Sequence, residues 1–158
     1  MAPDVPQPVL DYLGTEKTVT LATASADGVP HASTFMYVNN GSTLYFWARP
    51  TSTTAQHVQA NPRVSFAIDE YVPDWNKAKG IQGDGRCELV SDGDEVAHVV
   101  GLFADRFPSP SSGASTTNIT FFKITPTALQ FIDNEGARIG VSEDEFGMHF
   151  HREQVLSE

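Results

Sequence analysis

Cysteine, cations and long apolar runs are all scarce in this chain. One cysteine, Cys87, in 158 residues cannot close an intrachain disulfide, which excludes a disulfide-stapled secreted module. Lys and Arg number 10 against 20 Asp and Glu, for a formal net charge of -10. The ten cations are scattered singly, so the clustered positive charge that grips a phosphate backbone is missing and nucleic acid is not an expected partner. The longest apolar run, Val99-Val100-Gly101-Leu102-Phe103-Ala104, falls far short of the ~18 residues of a membrane span. Met1-Ala2-Pro3-Asp4 lacks the basic-then-apolar layout of a signal peptide, so the expected setting is soluble and cytoplasmic. No Gly-x-Ser-x-Gly elbow, Walker loop or dinucleotide glycine fingerprint occurs.

What is present suits one domain spanning 1–158. A chain of this length buries roughly 70% of the surface its unfolded form exposes, so it needs no disulfide or structural metal. Val5, Val9, Leu10 and Leu13 recur at helical spacing and Gly14 stops the run. Lys17–Thr23 alternates polar and apolar residues as a half-buried strand does, and Ala26–Pro30 is turn chemistry. His31–Val38 reads as a second strand, Asn39-Asn40-Gly41-Ser42 as a hairpin turn and Thr43–Ala48 as a third strand. The three predict an antiparallel meander.

Ser52 stands where a helix N-cap belongs, with a short helix over Thr53–Ala60 closed by Asn61-Pro62. Arg63–Ile68 is strand-like, and Asp69–Asn76 is a loop carrying Asp69, Glu70, Asp74 and Trp75. Lys79–Val90 is a long strand whose Gly80, Gly83 and Gly85 predict bulges or tight bends. A helix follows over Glu95–Phe107, stopped by Pro108, and 109–117 is a Ser/Pro/Gly-rich flexible loop. Asn118–Ile124 and Thr127–Ile132 read as two strands joined at Pro126. Past Ile132 the chain is acidic, above all in 143–158, with little periodicity beyond Phe146, Met148 and Phe150. Six or seven short strands with two or three short helices predict a mainly β fold, a closed or nearly closed barrel with helices over its openings.

Chemistry concentrates in Trp47-Ala48-Arg49-Pro50-Thr51-Ser52-Thr53-Thr54. A strand ends there and a helix begins, with four hydroxyl residues beside one arginine. Unpaired amides at a helix start, hydroxyl donors and a permanent cation together make a phosphate cradle. Plain capping by Ser52 or Thr51 explains the same residues. His149 and His151 flank Phe150 and would share one side of a strand, an incomplete metal pair in what reads as a solvated tail. His31, His57 and His98 lie in separate elements with no shared motif, and Cys87 reads as a buried structural thiol. Tyr45, Phe46, Trp47 and Trp75 read as core or interface aromatics, any of which could stack on a planar ligand.

The order of these pieces resembles the pyridoxamine 5'-phosphate oxidase-like, FMN-binding split β-barrel family. The resemblance is carried by Asp27-Gly28-Val29-Pro30-His31-Ala32-Ser33, Leu44-Tyr45-Phe46-Trp47, the stretch from Ser52 to Asn61-Pro62-Arg63-Val64, and Gly80-Ile81-Gln82-Gly83-Asp84-Gly85-Arg86-Cys87. It covers about Leu10 to Ile132. Lys79-Gly80-Ile81-Gln82 with Arg106-Phe107-Pro108 is most similar to a poorly characterised bacterial branch. The resemblance implies a homodimer with two FMN sites at the subunit interface. Carried over by position, Ser33, Thr34 and Phe35 would line the flavin from the second strand and Trp47 and Ala48 from the third. Ser52, Thr53 and Thr54 would meet the phosphate, with Arg49 or an arginine of the other subunit adding charge. Gln82 and Trp75 would approach the ring edge, reaching into the partner's site.

Two departures qualify this. Family members often carry an arginine where Ser33 stands and a lysine where Thr54 stands, both facing the phosphate. Each charge-assisted hydrogen bond is worth roughly 1.5–3 kcal/mol, so losing two without compensation weakens binding by powers of ten. A true pyridoxamine phosphate oxidase is therefore not expected, because its substrate brings a second phosphate. The expected function is an FMN-dependent oxidoreductase acting on an unidentified small molecule, with no side chain standing out as an acid or base. The alternatives are a non-enzymatic module for flavin, haem or another planar cofactor, a deazaflavin (F420) or nicotinamide-linked reductase on the same scaffold, or no tight ligand. Deleting the chain after Phe146 is expected to spoil haem binding alone.

Overall fold

The computed structural model of the chain describes residues 5–108, 118–135, 142–143, 149–150 and 152–156. Helix α1 (Gln7–Thr15) leads into strands β1 (Thr18–Ala24), β2 (Pro30–Met36), β3 (Val38–Asn40) and β4 (Thr43–Ala48). Helix α2 (Thr53–Ala60), strand β5 (Arg63–Asp69), a 3-10 turn (Trp75–Lys77) and strand β6 (Lys79–Leu89) follow. Helix α3 (Gly93–Arg106), the long strand β7 (Thr120–Asp133), and β8 (Ser142–Glu143), β9 (His149–Phe150) and β10 (Arg152–Leu156) complete the order.

Eight strands form one antiparallel sheet in the order β2-β1-β5-β6-β7-β4-β3, with β10 added to β7, while β8 and β9 pair only with each other. The two ends of that order are neighbours in the chain, since a single residue, Tyr37, separates β2 from β3. The sheet therefore curls into a half-barrel. Tyr37 is buried at the joint, its amide donating to the Lys17 carbonyl at 3.2 Å and its hydroxyl to the Leu13 carbonyl at 2.6 Å. One edge of β7 carries β6 along its length, while the other is shared between β4 at Thr120–Ile124 and β10 at Leu129–Ile132.

Alternation decides what the concave face buries. Val19 and Leu21 of β1, Val64, Phe66 and Ile68 of β5, Leu44 and Phe46 of β4, and Phe122, Ile124 and Leu129 of β7 all point into one core. Phe46 lies between Phe35 and Phe122, with ring centroids 4.7 and 5.4 Å away. Helix α1 adds Val9, Tyr12 and Leu13 to that core, and α2 adds Ala55 and Val58. Helix α3 covers the opposite face of β3 and β4, where Val38, Tyr45, Val90 and Val99 form a smaller cluster. This is why Leu44, Tyr45 and Phe46 are buried in succession. Polar ties hold α3 in place: the Tyr45 hydroxyl donates to Glu95 Oε1 at 3.0 Å and Lys123 Nζ lies 3.1 Å from the same oxygen.

The mainly β fold stands, and several local expectations change. The opening strands are not a meander: β4 pairs with β3 and β7, and β2 with β1 alone. The buried Tyr37 turns the chain from one end of the sheet to the other, which strand periodicity cannot register. The two runs flanking Pro126 are one 14-residue strand. Pro126 lies opposite Gly85 at the register shift, where a missing N–H is tolerated. Of the hairpin residues Asn39 to Ser42, the first two belong to β3, and Gly41 alone takes positive φ (+58°). The C-terminal segment also supplies β10, whose Val155 and Leu156 pack on the core. Deleting the chain after Phe146 would therefore strip the sheet as well as any haem ligand. Residues 109–117, Phe146, Met148 and His151 lie outside the described residues, and His149 stands in β9 opposite Glu143.

Candidate functional site

The end of β4, the turn after it and the start of α2 face the exposed side of β2. Between them lies a cleft of about 410 Å³ lined by Thr34, Phe35, Met36, Trp47, Ala48, Arg49, Thr51 and Ser52. Its floor is apolar. Trp47 keeps 38% of its surface and Met36 45%.

One end of the cleft is polar for a local reason. Ser52 caps α2, its Oγ accepting from the Ala55 amide at 3.2 Å, and its own amide donates to the Arg49 carbonyl at 2.9 Å. The Gln56 amide donates to the Ser52 carbonyl at 3.1 Å. The amides of Thr53 and Thr54, first and second in the helix, have no acceptor within it. They point donors and the positive end of the helix dipole toward the Arg49–Ser52 corner. Arg49 is exposed and is the one cation among the lining residues, which include no carboxylate. Capping and anion binding are thus compatible readings of the same turn, since the cap occupies the third amide and leaves the first two.

Of the residues expected here, Thr34, Phe35, Trp47, Ala48, Arg49 and Ser52 line this cleft together. Thr53 is exposed beside Ser52, whereas the Thr54 side chain is only 2% exposed and faces the interior. Ser33 is half-buried with its hydroxyl 2.9 Å from His31 Nε2. Gln82 and Trp75 stand elsewhere, around a second cavity of about 520 Å³ shared with Asp69, Glu70, Tyr71 and Asn134. Asp74 caps the turn that carries Trp75 by accepting from the Asn76 amide at 3.0 Å.

The sequence reading held Thr51 only as one hydroxyl of the cradle or a cap, and it stopped one residue short of Met36 on the second strand. It also separated two histidines that the fold joins. His31 and His57 rings meet edge-on at 5.9 Å, and Thr23 Oγ1 lies 3.0 Å from His57 Nδ1. The His31-x-Ser33 spacing, two residues along one strand face, signals the His31–Ser33 contact, whereas no local pattern points to His57. Cys87 is 1% exposed and burial pushes its thiol up to about 12, which leaves it unreactive at neutral pH. No cluster of three or more His, Cys, Asp or Glu with metal-binding geometry exists among the described residues.

A half-barrel of this topology, with its cleft between the second strand and the strand–turn–helix unit, defines the split-barrel class. The family model described as pyridoxamine 5'-phosphate oxidase matches residues 6–133, and the chain belongs to that family. No curated protein sequence matches the chain. Among solved structures, a conserved hypothetical protein of Mycobacterium tuberculosis superposes with a TM-score of 0.73 at 19% identity, over 90% of this chain and 96% of that one. HutZ, the haem storage protein of Vibrio cholerae, gives 0.67 at 21% identity, over 82% and 94%. A FAD-binding protein of Mesorhizobium loti gives 0.62 at 25% identity, over 75% and 87%. No helix among the described residues is long and apolar enough to cross a membrane.

Proposed function

We propose that the chain is a flavin-binding split-barrel oxidoreductase that holds FMN in the cleft between β2 and the start of α2. The carrying observation is the cleft's polarity gradient: Phe35, Met36 and Trp47 at one end, free helix amides with Ser52 and Arg49 at the other. A flavin mononucleotide has the same gradient, an apolar ring system at one end and a phosphate at the other. Bound there, flavin would supply the electron transfer to or from a small molecule. The chain's own residues bind and orient. The Thr53 and Thr54 amides and the Ser52 and Thr53 hydroxyls offer donors to the phosphate. Arg49 adds a permanent charge in place of the customary cations at positions 33 and 54. Trp47 and Phe35 exclude water from the ring.

Two copies of the chain complete the site in this reading. Each leaves Met36 and Trp47 exposed at the cleft and a separate wall carrying Trp75 and Gln82. The second wall belongs against the partner's flavin ring. The FAD-binding relative supports a flavin as the ligand class.

Thr53→Glu tests the phosphate corner. Glu at the first turn favours the helix dipole, so the variant keeps its fold while placing a carboxylate where the phosphate would sit. Wild-type protein is expected to copurify yellow or to bind FMN at micromolar levels in a fluorescence titration, with Thr53→Glu abolishing that micromolar binding. A colourless wild type silent in that titration rejects the proposal. Haem is the second reading, favoured by the likeness to HutZ, and an absorption scan of the purified protein separates the two chromophores.

A further inference from the structure

Strands β5 and β6 place Arg63 directly opposite Arg86. Opposed residues of an antiparallel pair share a face, with Cα atoms roughly 4.5–5.5 Å apart. Both arginines are exposed on the outer face of the sheet. Like charges so placed repel, and this chain carries twice as many acids as bases with which to neutralise them. Among the described residues neither arginine makes an ion pair; the lysines at 79 and 123 do. Asp84 shares the face one cross-strand row away, opposite Ser65, yet its carboxylate accepts from the Ser65 hydroxyl at 2.6 Å.

The pair lines a concavity of about 800 Å³ whose walls include Asn61, Asp84 and Thr127. Thr127 is the extra residue at the β6–β7 register shift, where Asp84 pairs with Ala128 and Gly85 with Pro126. A bulge of this kind re-aims a side chain. None of the lining residues is shared with the Trp47 cleft.

We propose that Arg63 and Arg86 form a binding site for a small phosphomonoester, distinct from the flavin cleft. Two guanidinium forks present paired N–H donors that suit a dianion with three terminal oxygens, whereas a carboxylate, with two, is satisfied by a single fork. The net charge of -10 selects for a small ligand, because a polyanion meets repulsion from the rest of the surface. The phosphate also relieves the repulsion between the arginines.

Calorimetric titration of the full chain carrying Thr53→Glu, which closes the helix corner to anions, tests this site separately from the flavin reading. Phenyl phosphate is the probe, with inorganic phosphate, benzoate and phenol as comparators. Phenyl phosphate and inorganic phosphate are expected to bind one per chain at sub-millimolar levels, benzoate more weakly and phenol not at all. Adding R63Q and R86Q should weaken phosphate binding at least tenfold, the loss of one or more charge-assisted hydrogen bonds, while R63K with R86K retains part of it. Without ligand, R86Q should leave the melting temperature unchanged or a few degrees higher, as relief of like-charge opposition requires. Absence of phosphate binding at millimolar concentration, equal affinity for benzoate, or binding that survives R63Q with R86Q overturns the proposal. FMN binding to the wild type that fails while phosphate binding here persists rejects only the flavin reading.

Discussion

At the scale of single residues, two glycines separate backbone necessity from backbone cost. A Cβ at Gly85 would stand 2.5 Å from the Thr125 carbonyl oxygen, a backbone atom that cannot step aside at the β6–β7 register shift. A Cβ at Gly101, in the middle of α3, meets nothing within 4 Å. Gly85→Ala is therefore expected to destabilise by about 1–3 kcal/mol through overpacking, while Gly101→Ala stabilises by up to about 1 kcal/mol through helix propensity. Melting temperatures moving in opposite directions check both. Glu16 gives a pH-dependent counterpart. Burial, with Glu70 and Asp69 nearby, holds its carboxyl above the usual carboxylate range. A raised acid favours the protonated folded form, so stability is fully present below the unfolded value and is lost as pH rises from there through the raised folded one. Glu16→Gln should raise the urea midpoint at pH 7, and the gain should vanish below about pH 3.5, where both states are protonated.

At the scale of elements, α2 is the piece on which the site depends. Eight residues are too few for an independent helix. It persists because Ala55 and Val58 pack into the core and Ser52 caps it. Ser52→Ala should cost about 0.5–2 kcal/mol of stability, read from denaturant midpoints. It should also weaken FMN beyond the loss of one hydroxyl donor, because the Thr53 and Thr54 amides lose their fixed aim. The cap, the helix and its Asn61-Pro62 stop were legible because each is a local pattern. What this turn faces was not. The capping serine, the arginine and Trp47 come from one stretch of chain and Phe35 and Met36 from another, and only the curl of the sheet places β2 across from that stretch.

At the scale of the whole molecule, the last strand closes the account of β7. Its edge past Leu129 is paired by β10, with Val155 and Leu156 packed against the core. A chain ending at Phe150 should therefore melt well below the full chain and expose apolar surface, measured by thermal unfolding and dye binding. Light scattering examines the dimer: the expected mass is twice the 17.2 kDa of one chain. A strict monomer that still binds FMN tightly would remove the shared-site arrangement and leave the single-chain cleft sufficient.

Local chemistry already written in the residue order settled the first hairpin, the capped helix, the long glycine-interrupted strand and the buried thiol, since period, cap and turn preferences act over a few residues. Tertiary structure decided which strand lies beside β4, that Pro126 sits inside one strand, and that an acidic tail supplies an edge partner. It also brought His31 to His57, engaged the Ser33 hydroxyl, buried Thr54, and put Trp75 and Gln82 on a wall apart from the cleft. These outcomes depend on pairings between segments far apart in the chain. Such pairings are chosen by what the curled sheet can bury as a whole, and no window of neighbouring residues contains that information.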